Sequence, residues 1–162
     1  MIRPASPADA AGIAEIWNPI IRDTLVTFNA AEKSLPEIAA MVTDRQAAGH
    51  GFFVAEAAGG ITGFATYAQF RGGIGYAHTM EHTVLLAGQA RGRGLGRALM
   101  TVIEDHARAG GAQSMFAGVS AANPEGRAFH AALGYAQCAV LPRVGYKFGQ
   151  WLDLVLMQKF LA

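Results

Sequence analysis

Hydrophobic and polar positions alternate between two periods along this chain, and the switches mark the elements. Ile2 to Ala5 reads as a short first strand. Ser6-Pro7 then has the form of a helix start, serine as cap and proline at the first helical position. Ile13, Ile16, Trp17 and Ile20 fall on one face of that helix, and Asn18-Pro19 predicts its kink or end. Thr24 to Asn29 is a polar-aromatic loop. Ser34-Leu35-Pro36-Glu37 opens a second helix with Ile38, Met41 and Val42 inward, closed by Gly49-His50-Gly51. Phe52–Glu56 and Ile61–Tyr67 flank Ala58-Gly59-Gly60 as a hairpin. A glycine-rich loop, Phe70 to Tyr76, leads to a strand over His78–Leu86.

After that strand comes a glycine-arginine loop, then a helix with Leu95, Leu99, Val102, Ile103 and His106 inward, ended by Gly110-Gly111. Ser114–Val119 is a strand, Asn123-Pro124 starts a short helix ending at Gly134, and Tyr135–Leu141 and Trp151–Met157 are two closing strands. The order predicts one mixed α/β (α+β) domain over residues 1–162, with helices flanking a mainly antiparallel central sheet. It lacks the regular alternation of a doubly wound nucleotide fold.

Composition narrows the function classes. With 52% hydrophobic and 15% charged residues, the chain has the makings of a packed core. A formal net charge of +1 argues against broad nucleic-acid binding. There is no run of roughly 18 apolar residues to span a membrane, and Met1-Ile2-Arg3-Pro4 lacks a signal-peptide pattern. The expectation is a soluble cytoplasmic protein with no membrane partner. The single cysteine, Cys138, reads as a small buried hydrophobe, and no Cys/His metal pattern exists, so no metal is expected.

The chemistry concentrates in Gln89-Ala-Arg-Gly-Arg-Gly-Leu-Gly-Arg-Ala-Leu99. Glycines at 92, 94 and 96 let the backbone approach a ligand, the following helix start offers free N–H groups, and Arg91, Arg93 and Arg97 add charge. A phosphate-bearing ligand suits all three features. No lysine or hydroxyl residue follows the glycines, which excludes a nucleotide P-loop. Neither Gly92 nor Gly94 begins a G-x-G-x-x-G run, which makes a dinucleotide fingerprint a poor fit.

The loop resembles the pyrophosphate loop of the GNAT superfamily of acyl-CoA-dependent N-acyltransferases, whose Arg/Gln-x-x-Gly-x-Gly/Ala pattern is matched by Arg91, Gly94 and Gly96. Three further stretches, Thr24–Phe28, Tyr76–Thr83 and Gly145–Gln158, look like the phosphinothricin and methionine-sulfoximine acetyltransferase branch. The resemblance implies a GNAT-type fold and acetyl-CoA as cosubstrate. It implies a small amino-acid-like amine as acceptor, and a homodimer. It places the pyrophosphate on Arg91, Gly92, Arg93, Gly94, Leu95, Gly96 and Arg97, and the pantetheine arm along Val84, Leu85 and Leu86 and against Asn123.

Glu81 is the implied general base, since a protonated α-amine must lose a proton before it attacks a thioester. Strand alternation turns His82 to the opposite face. Met80 and Val84 are the expected apolar setting for Glu81. Arg71 is the candidate for gripping an acidic group of the acceptor, and Phe28, Tyr76, Thr83 and Lys147 are candidates for its pocket. His130 stands where many GNAT relatives have a tyrosine general acid, and Gly126 where they often have serine. His130 is thus a candidate acid, although a thiolate is a tolerable leaving group without one. Two alternatives stay open: another amine acceptor (a protein N-terminus, a lysine, a polyamine, an antibiotic), or a non-catalytic acyl-CoA sensor.

Overall fold

The computed structural model describes residues Met1–Ala162. Seven strands form one sheet: β1 (Ile2–Pro4), β2 (Phe52–Ala57), β3 (Gly60–Gln69), β4 (Thr79–Leu86), β5 (Ser114–Ser120), β6 (Ala136–Lys147) and β7 (Gln150–Phe160). Their order across the sheet is β1-β2-β3-β4-β5-β7-β6. Every pairing is antiparallel except β4 with β5. Helices α1 (Ala10–Asp23), α2 (Leu35–Ala47), α3 (Leu95–Ala109) and α4 (Pro124–Ala132) complete the fold. This is the expected mixed α/β architecture, and none of its helices is long and apolar enough to cross a membrane.

The sheet separates two apolar cores. Ile13, Ile21, Ile38, Val42, Phe52 and Phe64 lie fully buried between α1, α2 and one face. Tyr67, Leu99, Met100, Ile103 and Met115 lie fully buried between α3 and the other. Each such side chain contributes about 1.5–3 kcal/mol of burial. The α2 start is built as its sequence predicts, with the Glu37 N–H donating to Ser34 Oγ and the Ser34 N–H to Glu37 Oε1, both at 3.2 Å.

Four expectations need correction. Pro19 does not end α1, which continues to Asp23. A proline inside a helix costs about 3 kcal/mol, but Ile20 and Ile21 beyond it are both buried. Asn18 also exchanges hydrogen bonds with Lys33 across the following loop, at 2.8 and 2.9 Å. The buried stripe of α3 is Gly96, Leu99, Met100, Ile103, Glu104 and Ala107, whereas Leu95, Val102 and His106 are only half-buried. A charged residue can occupy that stripe because Lys159 Nζ and Tyr135 OH both donate to the Glu104 carboxylate, at 2.6 and 2.9 Å.

β6 extends six residues past Leu141, to Lys147. Pro142 has no N–H to pair, but it sits on an edge strand within a register irregularity between Leu141 and Gly145, where none is needed. Arg143 there has φ 51° and donates its N–H to Asp153 Oδ1 at 2.8 Å. Cys138 is exposed, not buried, because this outer strand has no neighbour beyond it.

Candidate active site

The site exists because β4 and β5 separate. They pair at Thr79–Ser114, Met80–Met115 and Glu81–Phe116 and no further. Meanwhile β4 stays paired with β3 along its whole length, Gln69–Met80 to Gly63–Leu86, without a bulge. Beyond Glu81 a cleft opens between β4 on one side and β5 with α4 on the other, and the β4 edge facing it carries no strand partner.

One end of the cleft is a cavity of about 440 Å³. Val84, Leu85, Leu86, Arg91, Gly92, Gly94, Leu95, Gly96, Arg97 and Asn123 all line it. The structure thus brings together every predicted donor-site residue except Arg93, which is exposed and outside the wall. Gly92 and Gly94 have φ of 76° and 80°, so both use the left-handed region that glycine enters without strain. Gly96 is buried for a different reason: a Cβ there would stand 3.0 Å from the Phe129 ring of α4. The free N–H groups at the start of α3 face this loop, and none of the three arginines is engaged in an ion pair. Asn123 caps α4 by accepting from the Gly126 N–H at 3.1 Å.

The other end is a smaller cavity of about 220 Å³, walled by Val26, Thr27, Phe28, His82, Thr83, Gly118, His130 and Leu154. It shares Val84, Leu85 and Asn123 with the first, so the two are continuous. Phe28 closes it from the α1–α2 loop, its ring packed on the Gly145 backbone, where any Cβ would overlap it. Lys147 is only 2% exposed, and its ammonium has a single hydrogen bond, to the Thr27 carbonyl at 2.8 Å. Burial pushes its pKa down. Arg71 and Tyr76 lie on the β3–β4 loop, their side chains 5.9 Å apart, and line neither cavity.

Glu81 stands where the strands part. Strand register puts Ala68 and Phe116 on its face of the sheet. Met80 and Val84 alternate to the opposite face and are not its setting, which corrects the sequence expectation. Its carboxylate points across the split at Gly118: a Cβ on Gly118 would lie 2.8 Å from Glu81 Oε2. Burial raises the pKa of Glu81, and the charge of Arg45 opposes that rise. Arg45, on α2, donates to Thr66 Oγ1 at 3.1 Å. Sequence reading missed both Arg45 and Gly118. Gly118 carried a signal, because a lone glycine within a strand often marks a close approach. Arg45 carried none, since nothing in α2 says which strand lies beneath it.

His82 and His130 meet on the opposite face, Nε2 to Nε2 at 3.2 Å, and both are buried. Burial lowers both pKa values, that of His82 to about 3.

A split between parallel strands, ending in a cationic glycine loop on a helix start, defines an acyl-CoA-dependent N-acyltransferase. The model of the acetyltransferase (GNAT) domain matches residues 2–156, and the chain belongs to that family, whose members draw an acetyl group from acetyl-CoA. Within it, the chain is 38% identical over 157 residues to the L-amino acid N-acyltransferase MnaT of Escherichia coli, covering 97% of this chain and 91% of that one. It is 37% identical to the L-methionine sulfoximine/L-methionine sulfone acetyltransferase of Salmonella typhimurium, covering 97% and 92%. A phosphinothricin acetyltransferase of Sinorhizobium meliloti, solved with acetyl-CoA, superposes with a TM-score of 0.94 at 30% identity, over 100% of this chain and 88% of that one.

Proposed function

We propose that this enzyme transfers acetyl from acetyl-CoA to the α-amine of a small amino-acid analogue of the phosphinothricin, methionine sulfoximine or methionine sulfone type. One observation carries the reading: the half-buried Glu81 carboxylate stands at the last β4–β5 pair, against Gly118, which is part of the wall of the small cavity closed by Phe28. The relatives named above act on acceptors of that size.

The pyrophosphate sits on Arg91 to Arg97. The pantetheine arm runs along Val84 to Leu86 like an added strand, on the edge that β5 leaves unpaired. That run ends the thioester near Glu81, with β4 backbone N–H groups polarising its carbonyl. Glu81, directly or through a water, takes a proton from the acceptor ammonium. The free amine attacks the carbonyl carbon, a C–N bond forms, the C–S bond breaks, and the thiolate leaves with the electron pair. The new amide nitrogen then releases its surplus proton. Thr83 lines the small cavity, and Lys147, buried behind it on the Thr27 carbonyl and without a carboxylate partner, offers an anion site for the acceptor's acidic group; Arg71 and Tyr76 stay outside both cavities on the β3–β4 loop.

We infer also that the enzyme is a homodimer. Val144, Tyr146, Phe148 and Trp151 are all more than half exposed around the turn of the β6–β7 hairpin, an apolar patch suited to a second copy.

Release of free CoA across amino-acid analogues, polyamines, antibiotics and peptides tests the acceptor. Turnover of the analogues is expected; turnover of peptides alone would sink the proposal. Glu81→Gln tests the base. Its loss should be of the 10²–10⁴-fold order of general base catalysis near neutral pH. The loss should shrink at alkaline pH, where the amine deprotonates unaided. Binding without turnover across the whole panel would instead favour the sensor reading.

A further inference from the structure

The two buried histidines have a proton arrangement that their neighbours dictate. His130 Nδ1 lies 2.7 Å from the Gly126 carbonyl oxygen, which only accepts. His130 Nδ1 therefore carries the hydrogen. A neutral His130 then has a bare Nε2, and the group 3.2 Å from it is His82 Nε2, which must donate. A neutral His82 that spends its one N–H there has a bare Nδ1, and that atom is indeed buried without a partner. Both rings are more than nine-tenths buried and stack 5.0 Å apart.

Burial outweighs the two influences that favour a charged His130, the Gly126 carbonyl and the Glu104 carboxylate. Burial depresses both imidazoles and each faces the other. From α3, Glu104 is the carboxylate whose charge favours a charged His130, but it is already held by Lys159 and Tyr135. Tyr135, at the start of β6, presents its ring edge-on to both histidines.

The position of the pair matters as much as its protons. His82 is the first β4 residue past the last β4–β5 pair, and His130 belongs to α4 on the far side of the split. From His130 the hydrogen bonds run on to Gly126, whose own N–H donates to Asn123. A continuous line thus crosses the cleft from β4 to the asparagine on its opposite wall.

We propose that His82 and His130 form a neutral clasp that sets the width of the donor cleft and the placement of Asn123. His130, its Nε2 lone pair taken up by His82, is a positioning residue and not the proton donor to the leaving thiolate. The function assigned to the clasp rests on the reading of the cleft as the acetyl-CoA site.

Nitrogen-detected histidine spectra of the free protein near neutral pH read the clasp directly. Both rings should be neutral, His130 as the Nδ1–H tautomer and His82 as the Nε2–H tautomer. A charged His130, or its Nε2–H tautomer, would overturn the proposal. Kinetics supply the second arm. His82→Leu should raise the acetyl-CoA KM about three- to tenfold, the order of one lost neutral hydrogen bond, with a smaller change in kcat. His82→Gln, which keeps an N–H at the end of the side chain, should recover most of that KM. If His130 were the acid, His130→Gln would lower kcat by the 10²-fold order or more, with the acetyl-CoA KM unmoved and the alkaline limb of the pH profile lost. That result would also overturn the proposal. Calorimetric binding of acetyl-CoA to the same variants, without acceptor, separates the two readings. A wrong acceptor abolishes turnover but leaves the differences in affinity intact.

Discussion

Gly118→Ala tests the position of Glu81 without touching Glu81. The added methyl would begin 2.8 Å from Glu81 Oε2 and 3.5 Å from Leu154 Cδ1, and ordinary contact starts at 3.4 Å. Only the carboxylate must yield, by roughly 0.6 Å, and it is the free end of a flexible side chain. The backbone at Gly118 does not use the left-handed region, so alanine adds no strain there. Replacing a strand glycine removes unfolded-state entropy, and thermal stability should hold or rise slightly. Catalysis is less tolerant: a misplacement of about 1 Å costs on the order of 10²-fold. For the smaller shift the expected loss is about tenfold in kcat, or about 1.4 kcal/mol of barrier. CoA release at saturating donor and acceptor reads kcat, and a melting curve checks the fold. In a Glu81→Gln background the same substitution should cost little more, because the displaced group no longer accepts the proton. An unchanged kcat in the single variant, or a full tenfold loss in the double, would refute the placement of Glu81 as base.

Other outcomes follow from the same geometry. Gly94→Ala meets no atom within 4 Å, so its cost is the left-handed φ of 80° alone, about 1–2 kcal/mol. That should appear as a several-fold rise in the acetyl-CoA KM, and an unmoved KM would separate the loop from donor binding. The pKa values of His82, about 3, and of His130 are depressed in the folded state, while the unfolded chain binds both protons near pH 6.5. The stability held above pH 6.5 should therefore decline as pH falls toward 3, by up to about 1.4 kcal/mol per pH unit for His82, with His130 acting in the same direction. Urea midpoints across that window should fall for the wild type and flatten in His82→Phe; equal slopes would exclude a buried neutral His82. In sedimentation the protein should run as two 17.0 kDa chains, and Trp151→Glu should yield monomers. A monomeric wild type would remove the homodimer.

The donor half of the site was legible because its determinants are local. Three alternate glycines, a strand before them and a helix after them are neighbours in sequence, and their backbone needs can be read residue by residue. The order of elements was legible for the same reason, since periodicity, caps and turn glycines act over a few residues. The residue pattern placed Glu81 on its strand, the family resemblance implied its role, and alternation put His82 on the other face.

Long-range packing decided the rest. Whether Pro19 ends α1 depended on what Ile20 and Ile21 bury against, and whether Glu104 could turn inward depended on Lys159, 55 residues away. The environment of Glu81 comes from β5 and α2, so neither Gly118 nor Arg45 could be assigned to it from adjacent residues. The two histidines lie 48 positions apart and meet only because β5 parts from β4 and carries α4 across the opening. Local sequence, with its short-range sterics and hydrogen bonds, determined the elements and the phosphate loop. Tertiary structure determined the split in the sheet, and with it which side chains share a cleft, because that depends on contacts no single segment contains.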